Sequence, residues 1–165
     1  MAGWTNSKIF TSFITDKLNN TTAISLGSDA LIEVALYNNS VTPDQTVTSA
    51  NTAYSAGVWT GGSAPNLVDT GTSAPAGWPY LGRPLASATS TFTSNVYSFG
   101  AANTASANAT TTLTAAYGCL VYDKTITTPV SGQGICFNYF GGTNTVTLGT
   151  FTVVWSSGNI LQITV

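Results

Sequence analysis

The side chains of this 165-residue chain that could do chemistry are few: two cysteines, six carboxylates, four Lys or Arg, and no histidine. Without histidine the chain lacks the commonest general base, the commonest metal ligand and the usual partner of a nucleophilic Ser or Cys. The acids are Asp16, Asp29, Glu33, Asp44, Asp69 and Asp123. Five of them fall in expected turns, caps or helix, where Asp is usual. A glycosidase needs two carboxylates facing each other across a cleft, and the sequence leaves open whether Asp29 and Asp123 meet. Gly61-Gly62 and Gly141-Gly142 lack the Lys-Ser/Thr that completes a phosphate loop. No cluster of acids has calcium-loop spacing. The expectation is no catalytic residue, no cofactor and no metal. Cys119 and Cys136 are expected on neighbouring strands, where a bridge is possible, but as reduced, buried small core residues.

Composition narrows the class further. Hydrophobic residues make up 43% of the chain, enough for a core, but charged residues only 6%, where about a quarter is usual. Thr, Ser, Asn and Gly take their place. Aromatic and β-branched residues are plentiful and the net charge is only −2, so the chain is expected to fold. A surface this poor in charge has little repulsion to keep copies apart, which points to contact with other proteins. Four Lys or Arg make no basic patch, excluding nucleic-acid binding. No apolar run reaches the length of a membrane span, and the N-terminus lacks the pattern of a secretory leader.

The elements that must carry these residues read as mainly β. Residues 115–165 alternate with a period of two between Gly, Asn and Ser turns, which predicts antiparallel strands. The runs are Tyr117–Cys119–Val121, then residues 135–140, then Val146–Leu148, then Phe151–Val153–Trp155. A phase shift at Gly149 predicts a β-bulge or a tight corner. Turn residues 156–159 and the run Leu161–Ile163–Val165 predict a closing hairpin. Upstream, residues 23–26 read as a short strand and residues 27–29 as a turn. Residues 31–37 read as a strand with Ile32, Val34 and Leu36 inward and Glu33 toward solvent. Residues 89–99 return to alternation, and residues 101–112 form a polar loop or edge strand.

Residues 1–20 differ. Ile9, Phe10, Phe13, Ile14 and Leu18 recur at helical spacing, with Asn6 or Ser7 as caps and Trp4 as a separate anchor. Such a helix, of about three turns, is marginal alone. It needs a surface, either its own β body or another subunit. The division is therefore an amphipathic helical arm, 1–20, and a β body, 21–165. Residues 45–84 are a long loop rich in Pro, Gly and Ser that carries Trp59, Trp78 and Tyr80. Long loops of this kind often carry function. A sugar-stacking platform is conceivable there, as is a loop packed on the sheet or on a neighbour.

The segments DALIEVALYNNSVTPDQT, AYSAGVWTGG, GWPYLGRPL, TLTAAYGCLVYDKT, GICFNYFGG and VTLGTFTVVWSSGNILQITV together resemble a group of small virion structural proteins of tailed bacteriophages. The resemblance spans roughly residues 29–165 and leaves out the helical start. It implies an antiparallel β-sandwich or jelly-roll-like body and no active site. It also implies residence in the virion, as a head decoration (cement) protein bound to the major capsid protein or other virion subunits. Such a protein is expected to be a homo-oligomer, a trimer first and a dimer second, since decoration sites lie on lattice symmetry axes. Trp4, Ile9, Phe10, Phe13, Ile14, Leu18, Trp59, Trp78 and Tyr80 are the expected interface residues. The alternative is a tail or fibre module binding a host glycan or receptor, with Trp59, Trp78 and Tyr80 stacking on sugar rings.

Overall fold

The computed structural model describes residues 3–27, 31–62, 64–70 and 77–165. In chain order the elements are β1 (Lys8–Ile9), α1 (Thr11–Leu18), β2 (Ile32–Tyr37), α2 (Ser49–Thr52), β3 (Arg83–Pro84), β4 (Thr89–Thr93) and β5 (Val96–Gly100). They continue with β6 (Thr104–Ala105), β7 (Thr111–Asp123), β8 (Gly134–Gly149), β9 (Thr152–Val153) and β10 (Asn159–Thr164). Among the described residues these strands form a five-stranded sheet, β1-β8-β7-β2-β3, a three-stranded sheet, β10-β5-β4, and a two-stranded ribbon, β6-β9. Every pairing is antiparallel. The body is thus mainly β and layered as a sandwich, with side chains of all three sheets in one apolar core.

The large sheet is built on the long β7/β8 hairpin with β2 beside it. On one face lie Ala35, Tyr37, Leu120 and Phe137, set by the pairs Ala35–Leu120 and Leu120–Phe137. On the other lie Val34, Cys119, Val121 and Cys136. Both faces of β2 are covered, and all six of its residues are buried. Alternation in a strand signals one wet face; here it misled. Glu33, expected in solvent, is only 4% exposed.

Other expectations also change. The helix starts after Phe10 and has no side-chain cap, because residues 8–9 pair with Phe137 and Cys136 as strand β1. Residues 23–26 form no strand, although Ile24 is buried. Residues 27–29 lie partly outside the described residues. Gly141-Gly142 does not end a strand: β8 runs through it with positive φ at both glycines. Register shifts on the facing part of β7 mark bulges there, which bend a strand and increase its twist. The bulge expected near Gly149 is present, with Leu148 at φ 51° and a shift between the Thr111–Gly149 and Leu113–Val146 pairs. Phe151, Val153 and Trp155 are buried as expected, but only Thr152–Val153 of this run is strand, paired with β6. Strand β10 pairs with β5 rather than closing a hairpin on its predecessor. Residues 89–99 are two strands, joined by Ser94-Asn95.

Candidate functional site

The expected interface residues separate into two groups. Trp4, Phe10, Phe13, Trp59 and Trp78 are at most 3% exposed and lie in the core of their own chain. Trp4 donates its indole N–H to the Asn38 carbonyl at 2.8 Å and meets Trp59 edge-on at 5.7 Å. Trp59 also meets Phe10 and Tyr37 edge-on. Two glycines make the room. A Cβ on Gly118 would lie 2.5 Å from the Trp4 ring, and one on Gly134 would lie 2.8 Å from Phe10. The N-terminal segment and Trp59 of the 45–84 segment therefore cover one face of the large sheet. For Trp4, Phe10 and Phe13 the expectation of an arm on another subunit is corrected, because side chains already buried have no surface left to give.

The loop is equally committed. Trp78 donates to the Val34 carbonyl at 3.0 Å and packs edge-on against Phe151. Tyr54 stacks on Tyr122 at 4.7 Å. The Tyr54 hydroxyl donates to the Tyr80 carbonyl, and the Tyr122 hydroxyl to the Leu81 carbonyl. The sugar platform read into Trp59, Trp78 and Tyr80 is corrected too: the two indole faces are filled by the protein, and only Tyr80 is half-exposed. Ile9 and Ile14 are half-buried, and Leu18 is 81% exposed.

Several of the polar groups that could do chemistry make contacts that hold the fold. Lys124 pairs with Glu33. Burial pushes the Glu33 carboxyl above its ordinary value, with Lys124 and Arg83 opposing. The Asp16 carboxylate accepts from Ser49 and Gln133, tying α1 to the 45–84 loop and to the start of β8. Asp123 accepts from the Thr125 and Ile126 amides and closes a turn, and Asp44 does the same with Thr46. Asp29, the other half of the carboxylate pair considered above, lies outside the described residues. Cys119 and Cys136 are free, buried thiols. Burial pushes Cys136 up to about 12 and raises Cys119 as well, so neither supplies a thiolate nucleophile. Among the described residues no His, Cys, Asp or Glu side chains gather as a metal-ligand set, and no helix is long and apolar enough to cross a membrane.

The surface also carries an apolar feature beside α1. An apolar groove of about 270 Å³ lies between α1 and the β10-β5-β4 sheet, lined by Phe13, Ile14, Leu18, Leu26, Tyr97, Leu161 and Ile163. Its one charged neighbour, Lys17, donates to the Ile24 carbonyl. The pairs Phe92–Tyr97 and Tyr97–Ile163 place Phe92 on the same sheet face, where it is 62% exposed. Beyond it strand β4 is exposed at every residue and forms the open edge of its sheet. Read from sequence, residues 89–99 are one alternating run and Thr89–Thr93 is not marked as an exposed edge, because T-S-T-F-T has a weak apolar pattern; its lack of charge was the available signal. No protein-family model, no curated protein and no solved structure matches this chain.

Proposed function

We propose that this protein is a non-enzymatic structural subunit of a tailed-phage virion, a decoration protein that binds and stabilises the head lattice. The observation that carries the reading is a nearly uncharged surface with an open strand edge and an apolar groove side by side. Six acidic and four basic side chains serve the whole chain, and Glu33 with Lys124 is spent internally. Large apolar side chains stand exposed at Leu18, Phe92, Leu148, Val154 and Val165. A free monomer tends to avoid such a combination; a subunit that ends against other proteins uses it. Strand addition at an edge and burial of apolar side chains are the contacts by which a small protein bridges lattice subunits. The resemblance of residues 29–165 to small virion proteins supports the same reading.

The test is quantitative mass spectrometry of purified particles encoded by the same genome, followed by rebinding. The expected result is many copies per particle, in a ratio to the major capsid protein set by lattice symmetry. Heads prepared without the protein should rebind it and become more resistant to heat. Its absence from the particle, or its presence only at the tail tip, overturns the decoration reading.

A further inference from the structure

We propose that β4 is a self-association edge, and that two copies of this chain pair β4 to β4 about a two-fold axis at Thr91 to form one continuous six-stranded sheet. The inference does not rest on the virion reading; it follows from the geometry of one hairpin.

Strands β4 and β5 are joined by the two-residue turn Ser94-Asn95, whose positive φ values of 51° and 65° are those a type I′ turn requires. In such a hairpin the flanking pair, here Thr93–Val96, exchanges two hydrogen bonds, and hydrogen-bonded pairs recur at every second residue. Thr89, Thr91 and Thr93 therefore aim their amides and carbonyls at β5. Ser90 and Phe92 aim theirs outward, at the open edge. A second antiparallel strand can satisfy both outward residues at once if Ser90 faces Phe92 of the other copy and Phe92 faces Ser90. This register is its own two-fold image, so an identical strand fits it, and it closes as a dimer.

The side chains suit the same register. Each Phe92 ring lies opposite a serine, large against small, on the face that carries Tyr97 and Ile163. On the other face Thr91 meets Thr91, and Thr89 meets Thr93, cross-strand pairs that favour a sheet. None of the usual guards of a free edge is present: β4 has no charge, no proline and no bulge. Among the described residues no neighbouring element covers it, and all five of its residues are exposed.

The experiment compares four forms of the full chain by analytical ultracentrifugation across concentration. Wild type is expected to be a reversible dimer. Ser90→Pro removes one outward amide per copy and leaves the β5 ladder intact. It should weaken the dimer about tenfold or more, through two lost hydrogen bonds per dimer, with an unchanged circular dichroism spectrum. Thr91→Cys should form a covalent dimer under mild oxidation, because the two-fold axis brings the two Cβ atoms within about 5.5 Å. Thr89→Cys should not, because its own copy sits about 13 Å along the strand in this register. Cys119 and Cys136 are buried and do not interfere. A wild type that stays monomeric at all concentrations overturns the proposal, even if β4 becomes protected on a particle. So does equal cross-linking of Thr89→Cys and Thr91→Cys. If Ser90→Pro fails to fold, the cysteine pair still decides. A monomer that nevertheless decorates heads removes this proposal alone; a dimer absent from the particle removes only the virion reading.

Discussion

The segment of residues 3–18 and the β4/β5 hairpin both carry aromatic side chains on short elements that could not stand alone in water. In the first, Trp4, Phe10 and Phe13 are buried to 3% exposure or less. In the second, Phe92 is 62% exposed and its strand has no covered residue. The difference is not apolar content but prepared space. Gly118 and Gly134 leave room for Trp4 and Phe10 on the sheet, and Asn38 offers a carbonyl to the Trp4 indole. Among the described glycines none has Phe92 as a close neighbour. A sticky segment with a cavity cut for it belongs to its own core; a sticky segment without one is left for a partner.

Removing residues 1–20 tests that contrast most severely. Truncation of a buried Phe or Trp costs about 3–5 kcal/mol, and three such losses match a whole domain stability of about 5–15 kcal/mol. The shortened chain should show no cooperative thermal transition by circular dichroism. A folded truncated protein would restore the detachable arm.

A single core truncation comes next. Trp155 is 5% exposed, and its indole donates to Thr104 at 3.3 Å. Trp155→Ala should lose about 3–5 kcal/mol in chemical denaturation, showing that the small β6-β9 ribbon is part of the same cooperative unit. A melting curve like that of wild type would separate the ribbon from the core.

Glu33 sharpens the comparison on the polar side. Its folded pKa is raised above the ordinary 4.5 by burial, against the pull of Lys124 and Arg83. The folded form holds its proton more tightly than the unfolded chain does. This group's contribution is therefore most favourable below the unfolded value, and it declines as pH rises through the folded one. Glu33→Gln should match wild type at low pH and gain on it as pH rises above 4.5, measured by denaturant midpoints at several pH values. A growing advantage for wild type would mean that the Lys124 pair outweighs desolvation.

The smallest effect on stability belongs to the open edge. Phe92→Thr should change folding stability by no more than about 0.5 kcal/mol, while reducing association measured by sedimentation. A large loss of stability would show that Phe92 packs within its own chain.

Much of the β architecture was legible in residues 115–165, because alternation, turn residues and the Gly149 phase shift are local signals. The burial of Phe151, Val153 and Trp155 follows from the same pattern. The pairing of β10 with β5 was not legible, since partner choice between distant strands depends on which edges remain open after the long hairpin forms. Glu33 was misread because alternation reports one wet face only when the strand has one. The aromatic loop looked like a binding platform because abundance of Trp and Tyr is visible in sequence and their burial is not.

By itself the sequence determined the chemical poverty of this protein: no histidine, six scattered acids, few cations, and a period-two pattern that admits only a β body. It also determined that apolar surface had to be covered by something, because a helix of two to three turns and a charge-poor strand are unstable alone in water. Only the tertiary structure decided what does the covering. Sheet geometry turned Gly118 and Gly134 into recesses for Trp4 and Phe10, put β2 between two covered faces with Glu33 inside, and left β4 at an edge with Ser90 and Phe92 facing outward. Those outcomes depend on contacts between residues far apart in the chain, and the local pattern of any one segment does not carry them.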